Sequence, residues 1–187
     1  MGHRTIENPV SGERATWIES ARDNGGVRTV AEVEVGPGGG VPRHRHAQHE
    51  ERIHVLAGEM EVTVRDGVRR LVAGESVVID RGATHAWRNP SLDRTLVFRG
   101  EMLPGHPGFE TALRVVFGLG RDGELRPGGI PRRLTDLALV AGWDPSLLAV
   151  GPRRLLVPLL RWYAGRAAAR ARATVLLRRY DAPGQAL

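Results

Sequence analysis

Residues 38–58 read GGGVPRHRHAQHEERIHVLAG. His44 and His46 stand two residues apart. A strand repeats its side-chain direction every two residues, so both imidazoles leave one face. Two neutral imidazoles side by side are a common start of a transition-metal site. A carboxylate ligand is expected next, and the candidates are Glu50 and Glu51. Parity counted from His46 favours Glu50. Parity counted back from Ile53 and Val55 favours Glu51, because Glu50 is in step with Arg52, His54 and Leu56. Glu51 therefore lies on the face that can point into a core. A turn or bulge over Ala47–Glu50 is expected to reset the parity.

A second stretch, Gly74–Asn89, reads GESVVIDRGATHAWRN. The apolar strand Val77–Ile79 runs into an Asp80-Arg81-Gly82 turn, and His85 and Trp87 share a face of the next strand. Three imidazoles and one carboxylate would surround an ion and leave part of its coordination sphere open.

These two stretches resemble the two motifs of the cupin superfamily. The first is matched by Gly38, His44, His46, Glu51 and Gly58, and the second by Gly74, Gly82, His85 and Asn89. Asp80 stands where the second motif has proline, a change that touches a turn and not a ligand. The resemblance covers about residues 25–100. It implies a mainly β fold, the cupin double-stranded β-helix or jelly-roll barrel. It also implies one divalent transition metal ion on His44, His46, Glu51 and His85. Such a donor set suits Fe, Mn, Co, Ni, Zn or Cu, and the chain has no cysteine for a thiolate site. Similar cupins include dioxygenases, isomerases and polyketide cyclases, and the motifs do not separate them.

Outward from the motifs, the 187 residues suggest one domain with an extension. Residues 1–24 are polar and can add an edge strand. Val27–Val35 alternates as a half-buried strand, ended by a Gly36–Pro42 loop. Met60–Val64, Arg69–Val72 and Leu92–Phe98 read as further strands, with a hairpin at Asp66-Gly67. After about residue 100 the pattern turns helical. Phe109, Leu113, Val116 and Phe117 have helical spacing, stopped at Gly118. Pro131 suits a first helical turn before Leu134–Ala141, with Gly142 as its stop. Asp144-Pro145 can open a short helix. Arg153–Arg179 is rich in Ala, Leu and Arg, with Pro158 dividing it and residues 182–187 fraying. The expected division is thus 1–24, a barrel at 25–100 and a helical extension at 101–187.

The divalent ion and Glu51 leave a net positive charge, which favours an enolate, phenolate or carboxylate ligand. The ion would lower the pKa of a bound enol or water, and Glu51 could serve as the catalytic base if it ligates weakly. The expected substrate is a small apolar, enolisable or aromatic molecule, contacted by Met60, Val62, Trp87 and Phe98. The reaction is either a dioxygenase-type oxidation or a non-redox isomerisation or cyclisation. A non-catalytic binding or sensing role is the alternative. His49 sits where it can line the mouth of the site. His54 has outward parity and suits the surface or a subunit contact. His3 and His106 read as loop residues, and Arg43 and Arg45 as solvated charge.

All 27 basic residues are arginine, and the formal net charge is +6. The excess lies in residues 121–187, away from the motifs, and no helix-turn-helix is evident, so nucleic acid is not an expected partner. Leu155, Leu156, Leu159, Leu160, Trp162 and Tyr163 among these arginines resemble a basic amphipathic helix. Packing on the barrel or on a second subunit is the favoured reading, with a membrane surface as the lesser one. A homodimer is expected from exposed sheet edges. The first residues show no secretory signal, and the apolar runs are shorter than the roughly 18 residues of a membrane span, so a cytoplasmic location is expected.

Overall fold

The computed structural model describes residues 5–65 and 67–181. His3, Asp66 and residues 182–187, on which some expectations fall, lie outside the described residues. The N-terminal part forms ten strands: β1 (Thr5–Asn8), β2 (Glu13–Glu19), β3 (Thr29–Val35), β4 (Gly40–Arg45) and β5 (Glu50–Ala57), then β6 (Glu59–Val64), β7 (Gly67–Val72), β8 (Ser76–Ile79), β9 (Thr84–Arg88) and β10 (Leu96–Leu103). They make two antiparallel sheets. One has the order β1-β2-β3-β10-β5-β8 and the other β4-β9-β6-β7.

The sheets face each other across an apolar core. Val35, Ile53, Val55, Leu96 and Phe98 come from the first sheet, and Met60, Val62, Leu71 and Trp87 from the second. Strict alternation on β5 puts Glu51, Ile53 and Val55 inside and leaves Arg52 and His54 outside. Burying these side chains at about 1.5–3 kcal/mol each drives the closure of the sheets. Two motif residues serve this frame and carry no ligand atom. Gly58 turns the chain from β5 to β6 at φ 78°, and a Cβ there would meet the Thr95 carbonyl oxygen at 2.7 Å. Asn89 is fully buried, with its Nδ2 within hydrogen-bond reach of the carbonyls of Val35, Gly36 and Arg94.

Several expected boundaries move. The N-terminal segment gives two strands, and both continue the larger sheet as a hairpin beside β3. Val27 lies outside β3 and is exposed. The Gly36–Pro42 loop is shorter than expected, because β4 starts at Gly40 and pairs with β9 from there. The expected Leu92–Phe98 strand starts at Leu96 and runs to Leu103, held between β3 and β5, while Leu92 is exposed.

The C-terminal part begins with α1 (Pro107–Arg121), followed by the short β11 (Leu125–Arg126) and β12 (Ile130–Pro131), then α2 (Leu134–Trp143). A 3₁₀ turn at Ser146–Leu148 and another at Gly151–Leu156 lead to α3 (Val157–Ala164) and α4 (Ala167–Leu176). The last described turn is Leu177–Asp181. Gly118 does not stop α1. It lies inside the helix, where the Tyr180 ring occupies the space that a Cβ would need. Pro131 pairs in β12 and does not open α2. Pro158 sits in the first turn of α3, which tolerates it, and the helical run divides at Gly165-Arg166.

α1 docks on the β1–β2–β3 end of the larger sheet. Ala112, Val115, Val116 and Phe117 pack with Ile6, Ala15, Trp17 and Ala31 in a second core. The fully buried Glu110 pins the helix. Its carboxylate accepts hydrogen bonds from Ser20 Oγ (2.5 Å), Ala21 N (2.7 Å) and Thr29 Oγ1 (2.6 Å). Asp136 on α2, also buried, is held by a bidentate Arg172 of α4 at 2.7 and 2.8 Å.

Candidate metal centre

His44 and His85 sit opposite each other on the paired strands β4 and β9. His46 follows β4 directly, and its carbonyl accepts from Gly82 N at 2.7 Å. Glu51 arrives from the other sheet, on β5, between Ile79 and Met102. The parity change therefore comes from residues 46–49 carrying the chain from one sheet to the other, with no ladder for a bulge to interrupt. The register irregularity lies earlier, between Val41 and His44. Glu50 points outward and pairs with Arg52 at 2.7 Å.

The four side chains converge. One ligand atom from each of His44, His46, Glu51 and His85 lies within 4.8 Å of all the others, and all four residues are buried. Each histidine is tethered through Nδ1: His44 to the Pro42 carbonyl (2.9 Å), His85 to the Ala83 carbonyl (3.1 Å) and His46 to Ser146 Oγ (2.9 Å). Ser146 Oγ in turn donates to Asp144 Oδ1, which leaves its lone pair for an Nδ1–H of His46. With Nδ1 protonated in each ring, Nε2 carries the free lone pair.

The donor set fits a divalent ion. Glu51 Oε2 lies 2.9 Å from His85 Nε2 and 3.5 Å from His46 Nε2. Yet Glu51 Oε2 and His85 Nε2 are both buried without a well-directed hydrogen bond. Buried orphan donor atoms aimed at a common point are costly unless something binds there. His44 and Glu51 already favour the ligating forms, whereas His85 is pushed up because the Glu51 carboxylate beside it outweighs burial, so an ion would have to displace a proton there. Burial, and then the neighbouring His85 and His46, push His44 down to about 3. Burial alone would raise Glu51, but His46 and His85 beside it hold its carboxyl well below the usual range. Neutral imidazole and carboxylate are the forms that ligate metals.

A cavity of about 240 Å³ opens from His44, His46 and Glu51. It passes Trp87 and Phe98, which meet edge to face at 5.0 Å, and reaches Asn8, Ser11 and Glu13 of the N-terminal hairpin. Phe109, Leu113 and Val116 of α1 wall it on the helical side. Of the four side chains expected to contact substrate, Trp87 and Phe98 line this cavity. Met60 and Val62 do not, because both are fully buried in the core between the sheets. Their inward parity was right, but they point into packed side chains and not into space.

His49 is also displaced from its expected place. It is buried against His46 (ring centroids 4.4 Å apart) and Phe109 (5.6 Å) and does not line the cavity. His106 lies in the loop before α1, as expected, and its Nδ1 accepts from Phe109 N and caps the helix. His54 is exposed as expected, against Ser76 Oγ at 2.8 Å. Glu13, Asn8, Phe109, Asp144 and Ser146 were missed by sequence reasoning. Asp144-Pro145 marked a helix start, but no local signal told that Ser146 would return to His46.

Residues 31–98 match the family model described as the cupin domain. One curated relative, oryzines biosynthesis cluster protein J of Aspergillus oryzae, is 46% identical over 37 residues, 20% of this chain and 21% of that protein. The chain thus spans about a fifth of the curated relative it matches. Among solved structures, a predicted oxalate decarboxylase from Thermotoga maritima aligns with TM-score 0.47 and 20% identity, over 49% of this chain and 80% of that one. A cupin 2 domain-containing protein from Halorhodospira halophila aligns with TM-score 0.47 and 22% identity, over 54% of this chain and 77% of that one.

Proposed function

With residues 31–98 forming a cupin domain, we propose that the chain is a metal-dependent enzyme acting on a small, largely apolar molecule that bears an acidic oxygen. One observation carries this reading: of the four clustered, buried donor residues, His44, His46 and Glu51 line a cavity whose other walls are mainly apolar. A purely structural ion is normally closed off by its ligands and has no need of a cavity. A divalent ion bound there supplies Lewis acidity and, if it is redox active, a route for oxygen chemistry.

The chain's own residues do the rest. The Nδ1 tethers to Pro42, Ala83 and Ser146 hold the three rings with Nε2 turned inward. Glu51 brings one negative charge, so a divalent centre keeps net positive charge for an enolate, phenolate or carboxylate oxygen. Trp87, Phe98 and Phe109 exclude water and offer flat faces to an aromatic or conjugated substrate. If Glu51 ligates weakly, its carboxylate can take a proton from a substrate carbon or hydroxyl close to it. That favours activation of an enolisable or phenolic substrate, followed by oxidation or by non-redox isomerisation or cyclisation.

The test is elemental analysis of the protein purified without added metal, followed by assays with the metal found. A single divalent transition metal per chain is expected. Oxygen uptake with catechols or enols would assign oxidation. Proton exchange or rearrangement without oxygen would assign the non-redox branch. A ligand that binds tightly yet returns unchanged with every metal would overturn the enzymatic reading in favour of a binding protein.

A further inference from the structure

The apolar residues of the helical extension are expected to pack on the barrel or on a second subunit, and within the chain only some of them are buried. Along the Gly151–Leu156 turn and α3, the inner face is Val157, Leu160 and Ala164, which pack against α2 with Leu148. Leu155, Leu159 and Trp162 follow one another at the i, i+4, i+7 spacing of a single helical face, and they point away from that core. They are 75%, 61% and 58% exposed, and the adjoining Leu156 is exposed as well. Large apolar side chains clustered on one exposed face mark an interaction site.

The charge around the patch narrows what can cover it. Residues 145–180 contain eight arginines and no acidic residue. Arg172 and Arg179 answer to Asp136 and Asp122. Arg153, Arg154 and Arg161 have no ion pair among the described residues and lie beside the stripe. The Arg166 guanidinium lies 3.8 Å above the Trp162 ring, so charge stands at the edge of the apolar face. Two copies meeting through this face would bring these unpaired arginines together without a counter-charge. A surface offering apolar chains below a layer of negative charge satisfies both features at once.

We propose that the segment 151–166 is a membrane-surface docking face for anionic phospholipid bilayers, lying in the headgroup region. No helix among the described residues is long and apolar enough to cross a bilayer, so the contact is peripheral. Leu155, Leu159 and Trp162 enter the acyl boundary, and Arg153, Arg154, Arg161 and Arg166 meet the phosphates.

The test is co-sedimentation of the full chain with vesicles of phosphatidylcholine alone or with phosphatidylglycerol added. Binding to the anionic vesicles is expected, with at least a tenfold weaker partition to the neutral ones and a steep loss at about 0.5 M salt. A Leu155→Gln, Leu159→Gln, Trp162→Gln variant keeps the net charge and alters only exposed side chains. It should lose at least tenfold in partition, with circular dichroism and metal content unchanged. Trp162→Phe should remove the fluorescence blue shift that vesicles induce. No binding to anionic vesicles, or equal binding by the triple variant, overturns the proposal. So does a dimer in sedimentation equilibrium that the triple variant dissociates, which would assign the face to a second copy.

Discussion

Ser146 shows how much of the centre depends on a residue far from the motifs. Its hydroxyl accepts from His46 Nδ1 and donates to Asp144, so one hydroxyl fixes one ring. His44 and His85 take the same service from backbone carbonyls, which no substitution removes. Ser146→Ala should therefore weaken metal affinity by about 10–100-fold while the fold survives. A competition titration against a chromophoric chelator reads this directly, and unchanged affinity would remove Ser146 from the site. His85→Ala takes away a donor atom outright. It should strip the protein of its metal as purified, measured as metal per chain. Full metal content in that variant would mean a different ligand set.

At the scale of elements, α1 has two jobs, roofing the cavity with Phe109, Leu113 and Val116 and closing the second core. Glu110 sets its position. Glu110→Ala would leave the Ser20 and Thr29 hydroxyls and the Ala21 N–H buried without an acceptor. A loss of about 3 kcal/mol in stability is expected from chemical denaturation, together with weaker ligand binding because the roof loosens. None of this was legible in the sequence, where no local pattern singles out Glu110. Local spacing did reveal the four donors, because the strand period and the fixed motif intervals are written in neighbouring residues. It also gave the faces of β5 and β9. It could not separate Met60 and Val62, which fill the core, from Trp87 and Phe98, which line space, since all four share inward parity. Nor could it place Ser146 beside His46, 100 residues apart in the chain. Such pairings are decided by how helices dock, and docking leaves no periodic trace.

Over the whole molecule, the cavity lies where the core between the sheets meets the core under α1, and Val33 packs against both. The N-terminal hairpin and the helical extension are therefore walls of the site and not appendages. Glu13 is the feature of this junction with a measurable signature. It is half-buried on the cavity wall, and burial pushes its carboxyl up from 4.5 to about 7, against the lowering influence of the Ser11 hydroxyl. A carboxyl whose pKa is higher folded than unfolded holds its proton more tightly in the native state. Its contribution to stability is then full below about pH 4.5 and is lost as pH rises through about 7. The span corresponds to at most about 3 kcal/mol. Glu13→Gln keeps the shape and removes the titration, so the variant should gain on the natural protein as pH rises from about 5 to 8. Denaturation curves for both proteins at the two pH values measure this. Metal binding responds to pH in both alike, so the difference between them isolates Glu13. Parallel behaviour across the range would mean that Glu13 reaches water and titrates as an ordinary surface carboxylate. The far end of the cavity would then be wet, and a substrate reaching it would need a polar end there. A divergence of the expected sign would instead mark a dry far end, where a neutral Glu13 can donate a hydrogen bond to a ligand held by its oxygen at the metal.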